Sequence, residues 1–234
     1  MTNRLKEMGE SAAWHLMVSG ALAGAKKLGY TLKRKPGRGL SNTYEMAKDG
    51  RTQIASIRTT RDRWIAFPPL EAGTKWKTLD EADWVLVSAV DDRLNPQNVD
   101  VYLFPGEEVR RRFNASRTAR LENGHTVRDN FGMWVPIDEG DDAIPTQVGH
   151  SLAIDYPAIA RFTIDELEEA ADPSFRKKGD ELQAPEKPIN RPEAITADQA
   201  LNTVAEVLSF ARAKIADLTG MPIETIKLDL KMGV

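Results

Sequence analysis

The sequence contains no cysteine and only three histidines. The lack of cysteine excludes disulfide bonds, thiol catalysis and cysteine-ligated zinc. The histidines, His15, His125 and His150, are scattered without the paired spacing of a zinc motif, so we expect no metal ligand among them. A chain without disulfides suits a reducing compartment, and we expect a cytoplasmic protein.

Long hydrophobic runs are also lacking. The segment "AWHLMVSGALAGA" near the N-terminus is too short to span a bilayer, and polar residues interrupt it. The apolar residues of segment 14–28 follow helical spacing, which predicts a core-facing helix rather than a signal peptide. This helix should end at Gly29, and Gly20 and Gly24, one turn apart, should let another element approach its backbone closely. We expect no membrane partner.

The rest of the first half predicts a sheet. The chain has 234 residues, of which 41% are hydrophobic and 29% charged, which is enough for one substantial domain. Alternating residues predict a strand at 52–60 after a hairpin turn at Asp49-Gly50. The apolar segment 85–90 predicts a strand buried on both faces, and the strand at 99–104 should lead into a helix near Pro105.

The second half is acidic, and its composition predicts three regions. Residues 1–137 should form the core domain, and residues 138–192 an acidic, proline-containing linker. Within this linker, Thr163 and Glu166 form a capping box that predicts a short helix. Residues 193–234 predict a helix and a strand, which are too small to stand alone. This C-terminal unit should dock on the core or form a homodimer.

The basic residues are segregated, although the formal net charge is only -3. They concentrate between residues 26 and 63, where few acids accompany them, and such a distribution is typical of a phosphate-binding face. The loop "KRKPGRGLSN" adds glycines that let backbone amides approach an anion. Trp76, between two lysines, is the best candidate for stacking on a base. The predicted nucleic-acid-binding residues are Lys33, Arg34, Lys35, Arg38, Ser41, Asn42, Arg58, Arg61 and Arg63.

The order of motifs resembles the core of the PD-(D/E)XK nuclease superfamily over residues 11–120. The motifs are a helix, a hairpin strand with "TYEM", the strand "IASIRTT", the buried strand "VLVSAVDD" and then "VDVYLFPGEEV". The resemblance implies an α/β (α+β) fold, with a restriction-endonuclease-like mixed sheet flanked by helices. It also implies a metal site, whose first carboxylate falls on Glu45. The second acidic position falls on Ser56 and the lysine position on Arg58.

These two exchanges predict a degenerate site. A serine binds Mg²⁺ weakly, and an arginine cannot exchange a proton as a lysine can. We therefore expect a protein that binds nucleic acid, in particular DNA, without catalysis and without a metal cofactor. Two alternatives remain open. One is a protein-interaction module for an acidic partner. The other is a Mg²⁺-dependent nuclease that uses Glu45 with a carboxylate from Asp62, Asp91 or Asp92.

Overall fold

The structure is a computed structural model, which describes residues 3–36 and 42–170 together with Leu208, Ala211 and Arg212. Two helices come first in the described chain, eight strands follow, and helices and strands alternate only after that. The helices are α1 (Arg4–Glu7), α2 (Glu10–Lys27), α3 (Gly106–Glu122), α4 (Leu152–Asp155) and α5 (Ile164–Ala170). The strands are β1 (Thr31–Arg34), β2 (Thr43–Lys48), β3 (Arg51–Thr60), β4 (Trp64–Phe67), β5 (Pro69–Leu70), β6 (Lys75–Trp76), β7 (Trp84–Val90), β8 (Asn98–Pro105), β9 (Met133–Pro136) and β10 (Ala160–Thr163).

A mixed six-stranded sheet organises the domain, in the order β1-β2-β3-β7-β8-β10. All its neighbours are antiparallel except β3 and β7, which run parallel. Two small sheets, β4-β9 and β5-β6, accompany it. The predicted strands and the mixed α/β class are confirmed. The predicted hairpin turn is also confirmed, since Asp49 and Gly50 have φ angles of 51° and 73°, which suit a two-residue turn between antiparallel strands.

Helix α2 covers one face of the sheet through its glycines. A Cβ atom at Gly24 would lie 2.7 Å from Cγ1 of Val101 in β8, and one at Gly20 would lie 3.1 Å from Cδ1 of Leu167 in α5. The close approach predicted for this pair of glycines is confirmed. Helix α2 ends at Lys27, and Gly29 follows its C-cap with φ 84°, as the sequence predicts. None of the helices in the described ranges is long and apolar enough to cross a membrane.

The other face of β7 and β8 is covered by α3 and by the β4-β9 sheet. Phe113 of α3 meets the rings of Phe67 and Trp76 edge-on, with ring centroids 5.2 and 5.3 Å apart. Trp76 is 2% exposed, and its indole N–H donates to Asn114 Oδ1 at 2.9 Å. The prediction that Trp76 stacks on a base is therefore wrong. Burial of its apolar ring in this core is more favourable than exposure to water, although lysines flank the residue on both sides.

Residues 138–170 are part of this domain, whereas their acidic composition predicts a linker. Strand β10 pairs with β8 and forms an edge of the large sheet, and α5 packs on α2. Leu152 and Leu167 are buried in the core. The capping box is confirmed, because the Thr163 N–H donates to Glu166 Oε2 at 2.7 Å and the Glu166 N–H donates to Thr163 Oγ1 at 3.1 Å.

The predicted C-terminal unit, residues 193–234, lies outside the described residues, except that Leu208, Ala211 and Arg212 are helical. Its role in docking or dimerisation stays a prediction.

Candidate nucleic-acid interface

Basic side chains surround β1, which is an edge strand of the large sheet. None of them forms an ion pair with the described part of the chain. All are exposed except Lys35, which is half-buried. We call this group the β1 surface, and it consists of Lys26, Lys27, Lys33, Arg34, Lys35, Lys48 and Arg51. It is therefore a region of positive charge that no ion pair among the described residues neutralises.

Strand alternation divides the β1 surface between two faces. Lys33 lies opposite Glu45, and the Lys35 N–H donates to the carbonyl of Thr43 at 2.9 Å, which places both lysines on the face away from α2. Arg34 lies opposite Tyr44 on the α2 side. Burial lowers the pKa of His15 and raises that of Tyr44, and the charge of Arg34 acts on both groups. Lys33 and Lys35 can therefore meet one ligand together, and Arg34 faces the other side.

Arg58 lies on the same face of the sheet as Lys33 and Lys35, on strand β3. Its guanidinium donates from Nε to Ala66 O at 3.0 Å, from Nη1 to Ile57 O at 2.9 Å and from Nη2 to Thr78 Oγ1 at 2.5 Å. It also stacks on Phe67, with Cζ 4.1 Å from the ring centroid. No carboxylate of the described residues pairs with it, and burial lowers its pKa to about 10. Arg58 thus holds a half-buried positive charge without a counterion.

Arg63 is used inside the protein. It forms a double contact with Asp138, from Nε to Oδ2 at 2.5 Å and from Nη2 to Oδ1 at 2.8 Å. It also donates to the Tyr102 hydroxyl at 2.7 Å, and Asp100 lies 3.5 Å away. The hydrogen bond with Asp138 is the main cause that raises the pKa of Arg63. Its side chain is therefore held by acidic partners and is a poorer phosphate ligand than Arg58.

The remaining predicted nucleic-acid contacts are dispersed. Arg61 is half-buried near the end of β3. The backbone carbonyl of Asn42 accepts from the Ile57 N–H at 2.8 Å, and its buried side-chain oxygen Oδ1 has no hydrogen-bond partner among the described residues. Arg38 and Ser41 lie outside the described residues. The structure thus brings Lys33, Lys35 and Arg58 onto one face of the sheet.

The carboxylates proposed for an active nuclease have other partners. Asp91 accepts five hydrogen bonds, and those from Asn98, Gln97 and Asp92 outweigh the effect of burial and lower its pKa to about 2. Asp92 accepts from two backbone N–H groups in its own turn. Asp62 accepts from Thr60 and Trp64. Within the described ranges, no group of three or more acidic or histidine residues could hold a metal ion.

Ser56, at the second acidic position of the resemblance, is fully buried between neighbouring strands. It lies opposite Thr43 of β2 and Val85 of β7, and its hydroxyl has no hydrogen-bond partner in the described part of the protein. Glu45 is half-buried and pairs with Ile54, which precedes Ser56 by two residues and lies on the same face of the sheet. Glu45 and Ser56 therefore share a face of the sheet. A carboxylate near them is that of Asp83, which accepts from the Ile54 N–H at 2.7 Å.

The arginines of α3 hold the fold together, which their sequence does not indicate. Arg110 donates to the carbonyls of Leu79 and Ala82. Arg120 donates to the carbonyls of Trp134 and Thr146, and Arg112 pairs with Glu108 and Asp155. The sequence shows only that Glu108 precedes Arg112 by one turn, which could have indicated one of these contacts. Hydrogen bonds or ion pairs thus hold these arginines, whereas the β1 surface forms no ion pair among the described residues. Lys27 and Lys48 of that surface lie over the rings of Phe162 and Tyr30.

Comparisons of the chain with protein-family models, curated proteins and solved structures gave no match. The restriction-endonuclease-like fold therefore stays a prediction, and the site has to be interpreted from its own geometry.

Proposed function

We propose that the protein binds nucleic acid through the β1 surface and does not cleave it. One observation supports this proposal above all. Acids of the described chain neutralise Arg111 and Arg112 of α3 and Arg63, but no ion pair among the described residues neutralises the β1 surface. Unpaired lysines and arginines on an exposed edge repel one another, and a polyanion removes this repulsion. The contacts expected from such residues are with phosphates, so binding should depend weakly on sequence.

The DNA backbone suits the spacing of these charges. Lys33 and Lys35 lie two residues apart on one strand and point to the same face, roughly 7 Å from each other along the strand. Phosphates on one nucleic-acid strand follow each other at a similar spacing. We therefore propose that the two lysines contact successive phosphates, while Arg58 contributes from the same face.

The test is a binding titration with labelled duplex DNA, single-stranded DNA and RNA at about 50 and about 200 mM salt. Affinity should fall steeply as salt rises, because each neutralised phosphate releases condensed counterions. The double variant Lys33→Gln/Lys35→Gln should weaken binding to every sequence alike and reduce the slope of log affinity against log salt by about 2.

The matched control is Lys6→Gln/Arg93→Gln, which removes the same charge from two exposed residues outside the β1 surface. This control should leave the salt slope almost unchanged. Equal losses in the two double variants would show that only net charge matters, and would remove the β1 surface as the site. Binding that does not change with salt would contradict the proposal altogether.

A further inference from the structure

Arg58 has binding capacity that the fold does not use. A guanidinium carries five N–H donors, and three of those on Arg58 donate to Ala66, Ile57 and Thr78. One N–H on each terminal nitrogen is left without an acceptor in the described part of the chain. The ring of Phe67 lies against the guanidinium plane at 4.1 Å and fixes its direction. The two remaining donors belong to one planar guanidinium, whose N–H groups are arranged as a rigid fork.

The charge of Arg58 also lacks a counterion among the described residues. Taking a charge out of water is costly unless an opposite charge compensates for it, and burial is the cause that lowers the pKa of this residue. Arg63 provides the comparison, because the carboxylates of Asp138 and Asp100 contact its terminal nitrogens and neutralise its charge. Arg58 has only neutral acceptors, so an anion from outside would complete its environment.

The backbone beside Arg58 is strained. Thr78 has φ 64°, a left-handed conformation that is unfavourable for a β-branched residue. Its hydroxyl is the acceptor for Arg58 Nη2. Strain of this kind persists only where the surrounding structure enforces it, and it concentrates at binding sites. The conformation of Thr78 thus serves to hold the guanidinium in place.

Two buried polar atoms, one on β3 and one in the residue just before β2, also lack a hydrogen-bond partner among the described residues. Ser56 precedes Arg58 by two residues on the same face of β3, and its Oγ atom has no hydrogen-bond partner among the described residues. Oδ1 of Asn42 also has no hydrogen-bond partner among the described residues. The backbone carbonyl of Asn42 accepts from the N–H of Ile57, the residue before Arg58. Buried polar groups without partners are rare in proteins, and they mark places where water or a ligand completes the hydrogen bonding.

The chemistry of the fork favours a phosphate. Two parallel N–H donors match the oxygens of a phosphate or a carboxylate. The unneutralised Lys33 and Lys35 on the same face favour a polyanion as the carrier of that group. A largely buried guanidinium is reached more easily by a group that projects from its carrier than by one within a continuous backbone. A terminal phosphate projects in this way, and it carries more charge than an internal phosphodiester.

On the basis of the proposed nucleic-acid binding, we infer that Arg58 binds a terminal phosphate monoester at the end of a nucleic-acid strand. The two remaining N–H donors of Arg58, which Thr78 and Phe67 hold in position, bind this phosphate. Lys33 and Lys35 hold the backbone that follows this phosphate. The protein is in this view a binder of phosphorylated ends, and it discriminates between phosphate and hydroxyl ends at one residue.

The test compares single-stranded oligonucleotides of one sequence with a 5′-phosphate, a 3′-phosphate or only hydroxyl ends, each titrated against the full chain. One of the two phosphorylated strands should bind about tenfold more tightly than the hydroxyl strand. Arg58→Lys keeps the charge but removes the fork, and it should abolish this preference. Lys33→Gln/Lys35→Gln should weaken binding to all three strands and leave their ratio unchanged.

A second variant guards against a failure of Arg58→Lys to fold. Thr78→Gly removes the hydroxyl at a backbone conformation that glycine accepts without strain, and it should reduce the preference while the protein stays folded by circular dichroism. An unchanged preference in Thr78→Gly and Arg58→Lys would overturn the inference.

The outcomes also separate this inference from the proposed function. All three strands could bind equally while the salt dependence and the effect of the lysine variants are retained. This result would overturn the terminal-phosphate site at Arg58 and leave the proposed function intact. Loss of all binding would overturn both. Binding of a polyglutamate peptide as tightly as the phosphorylated strand would replace the nucleic-acid end by an acidic protein partner, and would also overturn the inference.

Discussion

Arg63 and Asp138 form a double hydrogen bond across 75 residues of sequence, with Nε 2.5 Å from Oδ2 and Nη2 2.8 Å from Oδ1. This contact ties the end of β3 to the segment that follows β9. Arg63 itself has φ 59°, so its backbone is strained while its side chain is well satisfied. The ion pair therefore joins parts of the chain that no hairpin connects.

We expect Asp138→Asn to lower the free energy of unfolding by about 1–3 kcal/mol, because it leaves the half-buried charge of Arg63 with a weaker partner. The matched control is Glu71→Gln, which breaks the exposed pair with Lys75. This control should destabilise the protein less, because solvent screens an exposed ion pair. Urea unfolding measures both, and equal effects would show that the Arg63 pair has the energy of an ordinary surface contact.

Helix α4 provides a test of whether residues 138–170 belong to the core. Leu152→Ala should destabilise the protein by about 2–5 kcal/mol, since the side chain is fully buried and its removal leaves a cavity. Ile154→Ala, two residues later, changes a side chain that is 58% exposed and should cost less than about 0.5 kcal/mol. Thermal unfolding of the two variants compares them. A small effect of Leu152→Ala would support the predicted linker instead.

Stability should fall in acid because of Glu108 and Asp91. Hydrogen bonds from Arg111 and Arg112, partly offset by burial, lower the pKa of Glu108 from 4.5 to about 2. The pKa of Asp91 falls from 3.8 to about 2. Both pKa values are lower in the folded protein, so the stabilisation is present above the ordinary values and is lost as the pH falls towards about 2. Urea unfolding at about pH 5 and about pH 3 measures this loss.

Glu108→Gln provides the comparison for this pH dependence. The variant should be less stable than the parent protein at about pH 5, and the difference should shrink at about pH 3, where the ion pairs of the parent weaken. A difference that stays constant over this range would assign the destabilisation to lost packing rather than to charge.

Nuclease activity is the remaining alternative, and we expect no cleavage of DNA or RNA with Mg²⁺ or Mn²⁺. Ser56 is buried at the position where the resemblance requires a second carboxylate, and one carboxylate holds Mg²⁺ poorly. If cleavage occurs, Glu45→Ala should abolish it without loss of binding, while Glu71→Ala should not. That result would establish the Mg²⁺-dependent alternative, and Asp62, Asp91 and Asp92 would be the next residues to substitute.

Local signals made much of the fold predictable. The turn at Asp49-Gly50, the capping box of Thr163 and Glu166, and the glycine pair Gly20 and Gly24 are each signals carried by residues within a few positions of one another. The structure confirms all three. The buried strand β7 was equally clear, because its apolar run leaves no polar face.

Long-range contacts were not predictable from the sequence. Leu152 and Leu167 stand among many acids, so composition indicates a linker, whereas a few buried side chains suffice to dock the segment. Trp76 is flanked by lysines, yet only the tertiary fold decides that its ring enters the core. The same limit applies to the site, because the difference between Arg58 and Arg63 lies in their partners, and those partners are distant in sequence.

The pairing of β4 with β9 sets an order of events during synthesis of the chain. Phe67 pairs with Met133 and Trp64 with Pro136, so β4 has no partner strand until residues 68–132 have left the ribosome. At about 5–20 residues per second, this interval lasts roughly 3–13 seconds. Ile65 and Phe67, which end fully buried, lack the strand that pairs with β4 until then. The nascent protein therefore presents a short apolar strand that a chaperone can bind before the domain closes.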